Sequence, residues 1–523
     1  MALVILPQFN IAAHFVDAPA GAHPERAAIL GEPQQVTYVE LQSLTNRVGN
    51  ALLSLDVACG ERVLMALPDS VEFVAGFFGA AKIGAVAVPV NPMTRAADYT
   101  YYAADCGARV AIVHEMVLPE FAGALESGVI EHLIVVGQGS SPVRCRAHVQ
   151  AWPEWLRGQS DHLEAAMTSG ADPAFFLYTS GSGGTPKGAV HQHKDMLVTA
   201  ESFGKGVLGL RADDRTFSVS KLFFAYGLGN GMYFPLSVGA STIYNPDRPR
   251  PDKILDIVKR YRPTVFFSVP TIYAALLRAA EAGETADFSS VRMAVSAGEA
   301  LPAEIFEQWR KRFGLEILDG IGSTELLHMF ISNRAGTARP GTCGTEVPNY
   351  AARILDDKGQ PVAQGEIGNL WVQGGSAFEG YWNKPELTAR TIRDGWVLTG
   401  DKFFHDADGY YHYCGRSDDM MKVSGMWVSP GEVENALLGH PAIAEAAVVG
   451  ETDQQGLTRP VAYVVLREGI SRSRELPLTV REWVRERLPG YKCPQEVRLL
   501  KELPKTATGK IQRFRLRHDP SSG

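Results

Sequence analysis

The stretch Tyr178-Thr179-Ser180-Gly181-Ser182-Gly183-Gly184-Thr185-Pro186-Lys187-Gly188 has the composition of a phosphate cradle. Its four glycines let the backbone adopt conformations closed to other residues and turn N–H groups toward an anion. Thr179, Ser180, Ser182 and Thr185 add hydroxyl donors, and Lys187 adds a positive charge. Upstream, the apolar run Ala174-Phe175-Phe176-Leu177 reads as a buried strand, and downstream Met196, Leu197, Ala200 and Phe203 fall at helical spacing. The expected context is strand, glycine-rich turn and helix, a setting suited to phosphate. Lys187 is followed by Gly188 rather than Ser or Thr and the glycine spacing differs, so the loop is not a Walker A motif; P-loop kinases and GTPases are disfavoured. The Pro-Lys-Gly ending and the preceding strand also set it apart from a flexible Gly/Ser linker.

Working outward, 523 residues exceed what one hydrophobic core usually supports, so at least two domains are expected. A formal net charge of −7 gives no basic footprint, and no nucleic-acid partner is expected. Cys59, Cys106, Cys145, Cys343, Cys414 and Cys493 lie far apart, with neither a CxxC pair nor zinc-like His spacing, and read as reduced thiols. The apolar start Met1 to Pro7 is too short for a signal-peptide core and lacks a basic beginning. The hydrophobic region Val71 to Val90 is interrupted by Glu72, Lys82, three glycines and Pro89, which fits a helix, a glycine turn and a short strand better than a membrane span. A cytoplasmic location without a membrane partner follows as the expectation.

Short runs such as Arg62 to Leu67, Ala85 to Val88, Ala108 to Val113 and Leu133 to Val136 alternate with amphipathic stretches. That rhythm continues through Thr264 to Val269, the helix-like Ile272 to Ala282, and Val291 to Val295. It predicts an α/β fold with parallel, helix-covered sheets. From about residue 340, glycine turns and short strands such as Gly365 to Val372 predict a β-rich subdomain. After Arg416, the elements Ala444 to Val449, Val461 to Leu466 and Val480 to Leu488 predict a small α+β domain. The expected division is 1–417 and 418–523.

Several further motifs follow the glycine loop in order. They are Lys221-Leu222-Phe223-Phe224-Ala225-Tyr226-Gly227-Leu228-Gly229-Asn230, Ser296-Ala297-Gly298-Glu299-Ala300-Leu301-Pro302 and Asp319-Gly320-Ile321-Gly322-Ser323-Thr324-Glu325. With Leu398-Thr399-Gly400-Asp401, Gly415-Arg416-Ser417-Asp418-Asp419 and Pro504 to Lys510, the whole chain resembles the adenylate-forming superfamily of acyl-CoA synthetases, adenylation domains and luciferases, in its benzoate-CoA ligase branch. The resemblance implies ATP, a magnesium ion (Mg2+) and coenzyme A as cofactors and co-substrates, with a small aromatic carboxylic acid as the partner to be activated. It implies a nucleotide- and acyl-binding domain over 1–417 and a mobile domain over 418–523. A homodimer is compatible with it.

The chemistry explains the residue types. Oxide is a very poor leaving group, so a carboxylate is first joined to AMP with loss of pyrophosphate. This step brings two anions together, and cations and preorganised donors must offset their repulsion. By resemblance, Thr179, Ser180, Gly181, Ser182, Gly183, Gly184, Thr185 and Lys187 cradle the β- and γ-phosphates, Thr324 contacts phosphate, and Glu325 binds magnesium, which needs only one or two protein carboxylates. Gly298, Glu299, Asp319, Gly320, Ile321, Gly322 and Ser323 complete the nucleotide site. Asp401 resembles the acceptor of the ribose hydroxyls, with Arg416 as its partner; composition alone fits a turn before a strand equally well. Lys510 resembles the lysine that reaches the carboxylate and bridging oxygen during adenylation. Asp418 matches the hinge about which the small domain turns, and Lys422, Ser424 and Gly425 match the pantetheine tunnel, Gly425 because a side chain there would close the passage.

Phe224, Ala225 and Tyr226 match the acyl-pocket segment, and Gly320, Gly322, His328 and Met329 its other walls. Two aromatics among small residues suit a ring better than a long alkyl chain. His328 either bonds a ring hydroxyl, favouring hydroxybenzoate, or shapes the slot, and the second is the reading preferred here. Two positions depart from the superfamily: Ile321 replaces an aromatic residue that often stacks on adenine, and Gly183 replaces a Ser or Thr, removing one donor to phosphate. The alternatives are transfer to a carrier-protein thiol, a ligase for another small cyclic or medium-chain acid, and a non-catalytic binding relic.

Overall fold

The fold is a computed structural model that describes residues 5, 7–31, 35–137, 145–180, 185–423, 426–452, 457–473, 475–505 and 511–518. The β-branched runs near the amino terminus form adjacent parallel strands, Arg62–Ala66, Val86–Pro89, Val110–His114 and His132–Val136. Successive side chains point to opposite faces of a strand. Val63 and Met65 therefore join the core under the helices Tyr38–Leu53 and Val71–Lys82, whereas Leu64 and Ala66 join the core under Ala96–Cys106 and Leu118–Glu126. Burial on both faces is why these strands are continuously apolar.

Pro173–Ser180 extends this sheet in parallel beside Val86–Pro89. The expected order of strand, glycine turn and helix is corrected at this point. The chain returns as a second strand, Pro186–Gln192, antiparallel to the first from Pro173 opposite Gln192 to Ser180 opposite Pro186. Only then does the helix His193–Thr199 begin, capped by the Asp195 carboxylate, which accepts the Gln192 N–H at 3.0 Å. Met196, Leu197, Ala200 and Phe203 are buried as their spacing predicts. The glycine-rich stretch thus joins two antiparallel strands rather than a strand and a helix.

A second sheet carries the parallel strands Arg215–Ser218, Val265–Ser268, Met293–Ser296 and Ile317–Gly322, with Met329–Ser332 returning antiparallel. Helices Pro251–Tyr261, Pro270–Glu281 and Ala303–Phe313 cover it through a core around Trp309, Tyr273 and Phe266. The β-rich region is an antiparallel sheet of Tyr350–Leu355, Gly368–Gly374, Trp396–His405 and Tyr411–Arg416, with the short strand Ile392–Arg393 at one edge. Beyond it, Ile443–Thr452, Thr458–Leu466 and Glu496–Leu500 form a separate sheet packed by helices Pro430–Leu438 and Leu476–Arg485. The core of that region, built on Val428, Val433, Ile443, Val464 and Val480, contains no residue before Met421. Among the described residues, no helix is long and apolar enough to cross a membrane.

Candidate active site

The second strand of the hairpin carries Lys187 toward Glu325, which follows the strand Ile317–Gly322 of the other sheet in the short turn Thr324–Leu326. The two charges stand 3.7 Å apart, each about one-sixth exposed. Between them lies Tyr381, absent from the residues singled out in the sequence. Its hydroxyl accepts from Lys187 Nζ at 2.6 Å and donates to Glu325 Oε1 at 2.5 Å. Burial pulls the Lys187 ammonium below its ordinary value, with Glu325 opposing, while burial followed by the Glu325 carboxylate raises the Tyr381 phenol.

The turn bearing Thr324 and Glu325 is held from outside by its carbonyls. The Thr324 carbonyl accepts from His191 Nε2 at 2.8 Å, the Glu325 carbonyl from the Phe378 N–H at 2.8 Å, and the Leu326 carbonyl from Ser376 Oγ at 2.8 Å. His191, fully buried, rests its other ring nitrogen 2.9 Å from Asp195 and stacks on Phe175. The hairpin and the turn are therefore joined through backbone as well as side chains. His191 could have been suspected only from its position three residues past Gly188; its contact with Thr324 is long-range.

Asp401 lies within the ten-residue strand Trp396–His405, not in a turn before a strand. Arg416 is its direct cross-strand partner, and Arg416 Nη1 donates to Asp401 Oδ1 at 3.1 Å and to the Thr399 carbonyl at 3.0 Å. Burial pushes the Asp401 carboxyl above its ordinary range, with Arg416 pulling it back. Gly400 permits this geometry: its φ is +75°, and a Cβ there would stand 2.9 Å from Arg416 Nη2. The Asp401, Arg416, Lys187 and Glu325 charges are close enough to act electrostatically on one another. The ribose-type and phosphate-type residues of the sequence thus converge on one location.

The strand Ile317–Gly322 lines the same region. Asp319 is 5% exposed, accepts the Leu301 N–H at 3.3 Å, and has its carboxyl pushed up to about 8 by burial. Ile321, Gly322, Ser323 and Thr324 are half-buried, Glu299 likewise, and Gly298 is exposed with φ +95°. A Cβ on Gly322 would come within 2.5 Å of the His328 carbonyl, and one on Gly320 within 2.5 Å of the Ile331 carbonyl, so these glycines allow the antiparallel return strand to lie close.

That return brings His328 beside Tyr226 and pairs Met329 with Gly322. Ala225 is buried, Phe224 and Tyr226 are half-buried against the main core, and the Tyr226 and His328 rings lie 5.5 Å apart. Phe234 and Phe203 complete the wall, with ring centroids 4.6 Å and 5.0 Å from His328. The polar tip of His328 faces Asn230: Nε2 stands 3.1 Å from Asn230 Oδ1, and both residues are buried. Burial lowers the His328 pKa to about 3, so the ring is neutral. Asn230 closes the quoted segment Lys221 to Asn230, yet only the fold shows that it faces His328.

Thr179 is half-buried and Thr185 exposed. Asp418 is exposed in the turn between Tyr411–Arg416 and Met421–Val423, and the latter strand pairs with Met426–Val428, with Lys422 opposite Trp427. Gly181, Ser182, Gly183, Gly184, Ser424, Gly425 and Lys510 lie outside the described residues, as do the side chains of Ser180 and Lys422.

A buried carboxylate paired with a half-exposed guanidinium, a lysine-bearing hairpin and a carboxylate beside it, set between two α/β sheets with a separate small domain, fit an enzyme that handles adenylates. Residues 16–382 match the AMP-binding enzyme family and residues 432–510 the AMP-binding enzyme C-terminal domain; the chain belongs to this family. It is 44% identical over 484 residues to the benzoate–CoA ligase of Thauera aromatica, covering 92% of this chain and 90% of that protein. It is 40% identical over 497 residues to the 3-hydroxybenzoate–CoA ligase of Aromatoleum sp. (strain CIB), covering 94% and 93%. The crystal structure of the anthranilate CoA ligase AuaEII in complex with anthranoyl-AMP superposes with a TM-score of 0.92 at 40% identity, covering 98% of this chain and 97% of that one.

Proposed function

We propose that the chain is an AMP-forming acid–thiol ligase of the cytoplasm that joins a benzoate- or hydroxybenzoate-type acid to coenzyme A. The observation that carries this reading is the 3.7 Å approach of Lys187 and Glu325 beside the Asp401–Arg416 pair, in a chain 44% identical to a benzoate–CoA ligase. In the first half-reaction an acid oxygen bonds to the α-phosphorus of ATP, the bond to the β-phosphate oxygen breaks, and pyrophosphate leaves. Lys187 and the donors of residues 179–185 bind the departing phosphates. Thr324 donates its hydroxyl to phosphate. Glu325 is the residue that would hold magnesium: a hard, anionic oxygen ligand beside a phosphate-binding lysine suits an ion that takes one or two carboxylates and completes its shell with phosphate and water. When bound, that ion neutralises charge on the phosphate oxygens. Asp401, an acceptor with Arg416 fixing its rotamer, takes the ribose hydroxyls. Gly298, Glu299, Asp319, Gly320, Ile321, Gly322 and Ser323 border the base and sugar.

Ala225, Phe224, Tyr226, His328 and Met329 hold the ring of the acid. Asn230 holds Nε2 of His328 and so fixes the ring as a wall of the slot, while Nδ1 has no partner among the described residues and is left for a substituent on the acid's ring. In the second half-reaction the CoA sulfur bonds to the acyl carbon and AMP leaves with the electron pair of the broken C–O bond. Domain 418–523 turns about Asp418, exchanging Lys510 for the passage formed by Lys422, Ser424 and Gly425; the separate core beginning at Met421 supports this division.

The test is pyrophosphate release with benzoate, hydroxybenzoates, cyclohexane carboxylate and medium-chain acids, with and without CoA. Acid-dependent pyrophosphate and CoA-dependent thioester are expected, with benzoates preferred. No pyrophosphate with any acid would overturn the enzyme reading, and pyrophosphate without thioester would favour transfer to a carrier-protein thiol.

A further inference from the structure

The Lys187–Glu325 pair poses a physical difficulty that the two half-reactions do not address. Both side chains are only 17% exposed, so their attraction is poorly screened. Left alone, a half-buried ammonium and carboxylate close into a direct, charge-assisted bond of about 2.8 Å. Such a pair must be broken before the ammonium meets a phosphate and the carboxylate meets a cation. In this protein the pair is not closed.

We infer that Tyr381 is a positioning residue for the first half-reaction, its phenol bridging Lys187 and Glu325 so that the two charges stay apart and ready for nucleotide and metal. The inference rests on the ligase reading above. A phenol offers one donor and one acceptor, and both are used, the acceptor by Lys187 at 2.6 Å and the donor by Glu325 at 2.5 Å. The Lys187 ammonium sits 4.0 Å from the centroid of the Tyr381 ring, at its hydroxyl end, so the phenol oxygen rather than the carboxylate is its near neighbour.

Tyr381 is well placed to impose this spacing because it is itself fixed. It is 5% exposed, and its strand Gly380–Tyr381 pairs with Pro186–Gln192, the strand that bears Lys187, with Tyr381 opposite Ala189. Its N–H donates to Thr388 Oγ1 at 2.9 Å, and its ring packs edge-on against Phe378 at 4.8 Å. The Phe378 N–H holds the Glu325 carbonyl, so one short segment, 378–381, grips the backbone of Glu325 at one end and its carboxylate at the other. Two hydrogen bonds to a neutral hydroxyl are exchanged for phosphate and cation contacts at lower cost than one buried ion pair.

The experiment is a double-mutant cycle read by Mn2+ binding, with electron paramagnetic resonance titration in the presence of α,β-methylene-ATP. Tyr381→Phe keeps the ring and removes only the hydroxyl. In an otherwise unaltered protein it is expected to weaken Mn2+ uptake about tenfold, because Lys187 and Glu325 then close on each other. On a Lys187→Gln background, where no ion pair can form, the same change is expected to cost less than about twofold. Thioester formation by Tyr381→Phe from supplied benzoyl-adenylate and CoA is expected to stay at the parent rate, which a misfolded variant would not maintain. Unchanged Mn2+ affinity in Tyr381→Phe, an equal loss on both backgrounds, or a parallel loss of the thioester step would each overturn the inference. Failure of the ligase reading is visible separately, as absence of acid-dependent pyrophosphate from the parent protein.

Discussion

Replacing Asp319 by Asn should make the protein more stable at alkaline pH and leave it little changed in acid. The carboxyl is 5% exposed, its Oδ2 accepts the Leu301 N–H, and its Oδ1 finds no partner among the described residues. Burial pushes the group from 3.8 up to about 8. The unfolded chain thus releases this proton near 3.8, whereas the folded protein retains it until about 8. Between those values the folded state binds one proton more than the unfolded state, so stability falls as pH rises, by about 1.4 kcal/mol per unit. The favourable contribution is complete below 3.8 and lost once pH passes about 8. Over that window the cumulative loss is bounded by about 6 kcal/mol.

Asn preserves shape and an acceptor but cannot ionise. The stability difference between Asp319→Asn and the parent should therefore climb by about 4 kcal/mol between about pH 5 and about pH 8 and then level off. Thermal unfolding of both proteins across that range is the assay. For a cooperative unit of 150–250 residues, about 2–4 °C per kcal/mol puts the relative gain in midpoint on the order of 8 °C or more. Activity near neutral pH should persist, since the parent carboxyl is then also uncharged. Parallel midpoint curves for the two proteins would refute the reasoning, because they would mean that Asp319 titrates alike in folded and unfolded chains.

Gly400→Ala should cost about 1–2 kcal/mol from its left-handed backbone and, by pushing the Arg416 guanidinium off Asp401, weaken AMP binding measured by calorimetry; unchanged AMP affinity would separate Asp401 from the nucleotide. Lys510→Ala should abolish acid-dependent pyrophosphate formation while sparing thioester formation from supplied acyl-adenylate. Equal loss of both steps in that variant would contradict two alternating domain arrangements.

Hydrophobic pattern made the large architecture legible. Runs such as Val110–His114 and Val265–Ser268 are apolar at successive positions because both faces of a parallel sheet are covered, and that signal is local in sequence. The glycine loop and the Thr324-Glu325, Asp401 and Arg416 motifs were legible for a similar reason: each needs particular residue types within a few positions. Where the sequence pointed wrongly, the deciding interactions were distant. Nothing within Pro186–Gln192 announces a strand until Pro173–Ser180 supplies its hydrogen-bond partners, so local spacing shows the helix bearing Met196 and Leu197 but not the strand before it. Asp401 sits inside a strand because Arg416 returns opposite it, a pairing that the local Thr-Gly-Asp sequence cannot encode.

The sequence by itself determined the family, the helix-covered parallel sheets and the motifs that carry Lys187, Glu325, Asp401 and Arg416. Only the tertiary structure decided that the glycine-rich stretch joins two antiparallel strands, that Asn230 meets one ring nitrogen of His328, and that Tyr381 stands between Lys187 and Glu325. The physical reason is that hydrophobic periodicity and glycine chemistry are written along the chain, whereas the partner of a single hydroxyl, imidazole or amide is fixed by side chains brought together from different sheets.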